Sequence, residues 1–204
     1  MKDIYNVKVV LKLYYYDDRD FERIMQLKEK YPDFCIPCLG VHPVQSDNGN
    51  PGKDRSVTLD DFKLAAPLIE KYHEQLVGIG EIGLDFTPRF IHSPDDKDNQ
   101  RLVLGQHIEL AKKYDLPINV HSRSAGRPVI AYLKEQEVTQ ALLHAFDGKP
   151  SVAMEGVALG YYFSIPPSIV RSEQKSKLVK QVPLENLILE TDSPALGPEK
   201  GKRN

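Results

Sequence analysis

No run of apolar residues in this 204-residue chain approaches the roughly 20 needed to cross a bilayer, so no membrane association is expected. Met1 to Asp3 lack the charged and apolar stretches that open a secretory signal, which makes the cytoplasm or nucleus the expected location. Charge of one sign is lacking as well. A formal net charge of −2 gives no global basic field, so any nucleic-acid binding must come from a local patch. Cysteine is scarce: Cys35 and Cys38 form a Cys-Ile-Pro-Cys sequence, and no second pair exists to complete a zinc site. They lie in the apolar run Phe34 to Val41, where an extended chain turns residues three apart to opposite faces. Buried thiols acting as small hydrophobes are therefore expected. There is no glycine-rich first turn of the kind that marks a nucleotide site in a doubly wound sheet, no low-complexity tract and no short repeat.

What remains is an ordinary folded composition, 41% hydrophobic and 27% charged, long enough for a single domain over residues 1–204. Strand-like and helix-like runs alternate, the signature of a parallel α/β fold. Strands are expected near Asn6 to Leu13, Phe34, Leu76, Leu116, Ala141, Tyr161 to Ile165 and Asn186. Helices are expected at Asp20 to Lys30, after Thr58, and at Asn99 to Tyr114, Arg127 to Gln136, Ser151 to Leu159 and Ser172 to Gln181. Thr58 with Asp61 reads as a capping box, and the apolar stripe behind it runs through Pro67. Gln45 to Arg55 and Pro88 to Asp98 read as polar loops. A (β/α)8 barrel has eight strands and about 250 residues, so this chain looks one strand short and without its last helix.

Four of the apolar runs end in a residue able to bind a metal: Leu76 to Gly80 before Glu81, Leu116 to Val120 before His121, Ala141 to Leu143 before His144, and Asn186 to Glu190 before Asp192. In parallel α/β folds the carboxyl ends of the strands carry the chemistry, so the four should share one rim. Two imidazoles with two carboxylates suit zinc, manganese or magnesium, the histidines favouring the transition metals. Gly78, Gly80 and Gly83 clear space beside Glu81, and Asp85 is either a support for the site or a loop cap. Arg123 can hold an anionic group such as phosphate with its planar fork, or form a salt bridge. His42, in Gly40-Val41-His42-Pro43, faces the same rim and is taken as a substrate contact rather than a ligand. His73, His92 and His107 read as solvent or packing residues.

At Gly40-Val41-His42-Pro43, Gly80-Glu81-Ile82-Gly83-Leu84-Asp85, Val120-His121-Ser122-Arg123, His144-Ala145-Phe146-Asp147-Gly148 and Glu190-Thr191-Asp192-Ser193-Pro194, the chain resembles the TatD family of metal-dependent deoxyribonucleases. The Phe163 to Ser168 stretch brings it nearest to an animal branch of that family. The resemblance implies an amidohydrolase-like TIM barrel that hydrolyses phosphodiester bonds of DNA, single-stranded or at ends, with two divalent metal ions. It implies that Glu81 bridges the ions, that His121 and His144 bind one, and that Asp192 binds the other and helps activate water. The family also opens on a strand bearing Asp-x-His-x-His and continues past the Asp192 strand into terminal helices, and neither is found here. The expectation is thus an incomplete barrel in which one ion site is retained and the other keeps only Glu81 and Asp192. A catalytically impaired metal-binding or interaction protein is the alternative, and an open seam beside the absent strand should lower stability or favour association.

Overall fold

The computed structural model describes residues 9–11, 18–46 and 54–202, with side chains from residue 21 onward. Its centre is a sheet of seven parallel strands in the order β1 (Val9–Leu11), β2 (Cys35–Leu39), β5 (Gly78–Gly83), β6 (Ile118–His121), β7 (Ala141–Leu143), β8 (Tyr162–Ile165) and β9 (Leu187–Leu189). Helices connect successive strands: α1 (Asp18–Lys30), α2 (Leu59–Tyr72), α3 (Pro94–Tyr114), α4 (Gly126–Glu135), α5 (Pro150–Val157) and α6 (Glu173–Val179). Sequence-adjacent strands are neighbours in space, so the sheet curls in one direction into part of a TIM barrel. The strand order leaves β1 and β9 as edges. Of the first expected strand, Val9–Leu11 is seen, and the rest of Asn6 to Leu13 lies outside the described residues.

The core fills as the patterning requires. All six residues of β5 are buried, as expected for a strand covered on both faces. Phe21, Ile24 and Met25 of α1, Ala65 and Ile69 of α2, and Leu104 and Ile108 of α3 join Leu39, Ile79, Val120, Leu143 and Phe163 of the strands in one cluster. Cys35 and Cys38 are buried free thiols. At the start of α2, the Asp61 carboxylate accepts from the Thr58 backbone N–H at 2.8 Å and closes the expected capping box, while Pro67 is accommodated within the helix.

Two loop expectations are corrected. Val44–Ser46 and Asp54–Ser56 pair as an antiparallel ribbon, β3 and β4, at the ends of the segment read as a loop, because Val44 and Ser56 find buried positions against the domain. Residues 47–53 between them lie outside the described set. The Pro88 to Asp98 segment is also more ordered than its composition suggests. It forms a 3-10 turn at Pro88–Phe90, and α3 begins at Pro94 behind a Ser93 cap, with Asp96 accepting from the Ser93 N–H at 3.0 Å. Ser, Pro and Asp in that order are a helix start rather than a loop.

Candidate metal centre

Glu81, His121, His144 and Asp192 converge at the carboxyl ends of the strands, as expected. Glu81 lies within β5, His121 ends β6, His144 follows β7 and Asp192 lies three residues past β9. Glycine makes the approach of β5 to β6 possible. A Cβ on Gly80 would stand 2.7 Å from the Asn119 Cβ and carbonyl oxygen, and one on Gly83, whose φ is +140°, would stand 2.1 Å from the His121 oxygen. Only glycine fits at either place.

Two histidines are held in the same way. His121 Nε2 lies 3.0 Å from Asp85 Oδ2, while its Nδ1 lies 2.8 Å from Glu81 Oε1. His144 is bound at Nδ1 by Glu190 Oε2, while its Nε2 lies 3.7 Å from Glu81 Oε1 and 3.3 Å from Asp192 Oδ1. Each ring therefore has one nitrogen fixed by an outer carboxylate and the other directed at Glu81. With the outer nitrogen donating its proton, the inner one offers a lone pair, which is how imidazole ligands of metals are oriented.

His42, expected as a substrate contact, lies beside this set. It is buried, its Nε2 lies 3.3 Å from His121 Nδ1 and 3.9 Å from Glu81 Oε1, and its Nδ1 faces the Val44 oxygen at 3.1 Å. One ligand atom each from His42, Glu81 and His121 lies within 4.8 Å of the others. A tetrahedral ion with bonds of about 2.0–2.1 Å places its ligands roughly 3.3 Å apart, so modest adjustment of these side chains would enclose one. The distances group His121 with His42, and His144 with Asp192, about Glu81, which differs from the pairing of His121 with His144 that the resemblance implies.

The electrostatics of the site favour a cation. Burial pushes the His42 imidazole down to about 3, and neighbouring His121 adds to the effect, so His42 is neutral. Burial acts the same way on His121, yet hydrogen bonds to Asp85 and Glu81 outweigh it and raise that ring above its ordinary value. Burial would raise Asp85, but His121 and Arg123 hold it far below the usual carboxylate range. Glu81, Asp85, Glu190 and Asp192 are set against Arg123 and Lys175, four carboxylates to two cations. The donor set fits a divalent ion, and its imidazoles favour a transition metal.

Arg123 forms the salt bridge weighed from sequence, with Nε at 2.8 Å and Nη2 at 2.6 Å from Asp85 Oδ2, and its side chain stays 44% exposed. Asp85 serves both readings offered for it, since its Oδ1 also accepts from the Thr87 N–H at 3.0 Å and caps the turn. Three participants escaped the sequence reading. Glu190 precedes Asp192 by two residues, but the strand ends at Leu189 and Asp192 has φ 53°, so strand alternation does not relate the two. Lys175 of α6 is buried and donates from Nζ to the Ala145 oxygen at 2.8 Å and the Phe146 oxygen at 3.3 Å. It clamps the loop that follows His144, where Ala145 has φ 43°. His107 is indeed a packing residue, but one with a polar task. Its Nε2 accepts from the Val41 N–H at 3.1 Å and its Nδ1 donates to the Val103 oxygen at 2.8 Å, fixing the segment that carries His42. No sequence period links α3 to that segment.

Comparison with known proteins gives a consistent picture. The family model described as TatD related DNase matches residues 3–204. The human protein named deoxyribonuclease TATDN3 is 63% identical over 186 residues, 91% of this chain and 67% of its own. A mouse relative with the same TATDN3 designation is 64% identical over 185 residues, 91% of this chain and 62% of its own. YjjV of Escherichia coli K12, named an uncharacterized metal-dependent hydrolase, is 31% identical over 181 residues, 86% of this chain and 64% of that protein. Its crystal structure superposes with a TM-score of 0.78 at 27% identity, covering 97% of this chain and 72% of that one. The chain thus spans about two thirds of the length of the curated relatives it matches. Among the described residues, no helix is long and apolar enough to cross a membrane.

Proposed function

Since the chain belongs to the TatD related DNase family, we propose that it is a metal-dependent hydrolase acting on phosphodiester bonds of DNA. The names of its relatives support the substrate class, and one geometric observation supports the chemistry: two carboxylate-oriented histidines direct their inner nitrogens at the same buried Glu81. In this reading His42, His121 and Glu81 would hold one divalent cation, and His144 and Asp192 stand on the facing side of Glu81. A bound ion of this kind supplies Lewis acidity toward a phosphoryl oxygen and lowers the pKa of water.

The residues have separate tasks. Asp192, beside His144 Nε2 at 3.3 Å, takes the proton from the attacking water as the new P–O bond forms and the bond to the leaving oxygen breaks. Arg123 stands at the exposed edge of the cluster, where its planar fork can hold a non-bridging phosphate oxygen. Asp85 and Glu190 fix the rings of His121 and His144, and Lys175 fixes the backbone between His144 and Phe146.

The test pairs elemental analysis with turnover. After metal removal and reconstitution with zinc or manganese, cleavage of single-stranded DNA should require added metal and fall by at least about a hundredfold in Glu81→Gln and Asp192→Asn. Bound metal should be lost in Glu81→Gln and retained in Asp192→Asn. Metal binding without turnover in the parent chain would favour the impaired metal-binding protein, and cleavage unchanged in both variants would refute the assignment.

A further inference from the structure

The loop that leaves β5 carries more than Asp85. Phe86 donates its backbone N–H to the Arg123 oxygen at 3.1 Å, so this loop and the one after β6 form a single surface beside the metal centre. Two aromatic rings in it are flanked by four cations. Lys97 Nζ lies 5.1 Å and the Arg101 guanidinium 5.4 Å from the Phe86 ring; the Arg89 and Arg123 guanidinium groups lie 4.4 and 5.4 Å from the Phe90 ring. Next to them, Ile91, His92, Ser93, Lys97 and Arg101 line an open concavity of about 500 Å³, the size of a site for a small ligand.

The acidic residues nearby are largely committed. Asp98 pairs with Arg101 at 2.8 Å, Asp96 accepts from the His92 and Ser93 backbone, and Asp85 is held by His121 and Arg123. Asp95, in the first turn of α3, is exposed. Arg89 and Lys97 are exposed and form no ion pair among the described residues. Four carboxylates, Asp85, Asp95, Asp96 and Asp98, match the four cations in number, but Arg89 and Lys97 present their charges to solvent outside any ion pair among the described residues, next to aromatic surface at one side of the candidate active site.

We propose that this shelf binds the nucleotides flanking the scissile bond of a single-stranded nucleic acid, with phosphates at Arg89 and Lys97 and a base in the concavity beside Phe86. Phe90 is buried and serves as the floor under Arg89 and Arg123 rather than as a stacking surface. The proposal rests on the phosphodiesterase reading and narrows it, because a small phosphoester would reach Arg123 and gain nothing from the shelf. Cations beside an aromatic face suit single strands, whose backbone charge and unstacked bases are both accessible.

The double variant Arg89→Ala/Lys97→Ala removes two exposed side chains away from Glu81 and Asp192, so the fold and the metal centre are left intact. Fluorescence anisotropy with a labelled single-stranded oligonucleotide, in chelator so that nothing is cleaved, should show affinity weakened about tenfold and the slope of log K against log salt reduced by about 1.4. Arg89→Lys/Lys97→Arg, which keeps the charges, should restore both. With manganese present, hydrolysis of the oligonucleotide should lose about the same tenfold in kcat/KM, while hydrolysis of bis(p-nitrophenyl) phosphate is unchanged. Unaltered oligonucleotide affinity and salt slope would overturn the proposal, as would an equal loss on both substrates. If the parent chain cleaves neither substrate, the phosphodiesterase reading falls, and the anisotropy result alone decides whether the shelf binds nucleic acid.

Discussion

Asp85 is the sharpest place to test how the site is built, because it fixes His121, a proposed metal ligand, from the side away from Glu81. Its Oδ2 holds both His121 Nε2 and the Arg123 guanidinium. Removing an outer partner of a metal-binding imidazole costs about 10–100-fold in metal affinity, so Asp85→Asn, which keeps an acceptor but loses the charge, should sit near tenfold and Asp85→Ala near a hundredfold. Tenfold is about 1.4 kcal/mol of binding energy. Metal that binds only the folded chain stabilises it by RT ln(1 + [L]/Kd), so at saturating metal Asp85→Asn should lose about that much of the stabilisation. For a domain of this size the metal-induced rise in Tm should shrink by about 3–6 °C. Zinc or manganese titration calorimetry and thermal unfolding with and without chelator give the two readouts. Arg123→Ala is the control. It deletes the salt bridge but leaves the His121 contact, so metal affinity should stay within about threefold of the parent. Wild-type affinity in Asp85→Ala, or an equal loss in Arg123→Ala, would show that Asp85 does not orient His121 for a cation.

Three further outcomes follow from the surrounding structure. Asp61→Asn removes a bidentate ion pair to Arg55, at 2.6 and 2.7 Å, and the cap of α2, and should cost about 2 kcal/mol in urea unfolding. Burial opposes ionisation of Asp61 but Arg55 and Thr58 lower its pKa below 3.8, so its contribution is present above that pH and disappears as pH falls through the folded value. Burial lowers the His107 imidazole from 6.5 to about 4, so the folded chain refuses a proton that the unfolded chain takes up, and stability falls as pH drops across that window by about 3 kcal/mol. His107→Gln, which retains an acceptor for the Val41 N–H, should flatten that slope by about one proton in denaturation curves measured at successive pH values. Hydrogen exchange should be faster at the amides of Leu187–Leu189 than at Ile118–His121, since among the described residues β9 has a sheet neighbour on one side only, and comparable protection in the two strands would contradict that edge.

Much of this architecture was legible because the informative residues lie in short, regular strands. The runs before Glu81, His121, His144 and Asp192 are fully or largely apolar, and such runs in a chain that alternates with helices have few arrangements available. Parallel order then places every strand's carboxyl end on the same rim. The reading failed where position depended on contacts between distant elements. The rim location of His42 was read from the sequence, but its approach to His121 and Glu81 depends on how the Val41 backbone is held by His107, 66 residues away. Glu190 and Lys175 act through the backbone and side chain of the His144 loop, which no local spacing records. The start of α3 was missed for a different reason: polar residues at 93–96 satisfy helix N-termini and loops equally well, and composition alone does not separate them.

The placement of ligands on the sheet divides the site into parts of unequal stiffness. His42, Glu81, His121 and His144 issue from β2, β5, β6 and β7, each paired on both sides, whereas Glu190 and Asp192 follow β9, which among the described residues is paired to β8 alone. Ile188 is 42% and Leu189 87% exposed on that strand, so little apolar burial holds it beyond its three register positions with Phe163 to Ile165. Local opening there would release the carboxylate that orients His144 and the proposed proton acceptor while leaving the trio of His42, Glu81 and His121 in place. On the proposed reading, cation binding and turnover are separable: the first would depend on interior strands, the second on an edge. Anything that adds a neighbour to β9 should raise turnover more than it raises metal affinity, because it stiffens Asp192 without touching the trio.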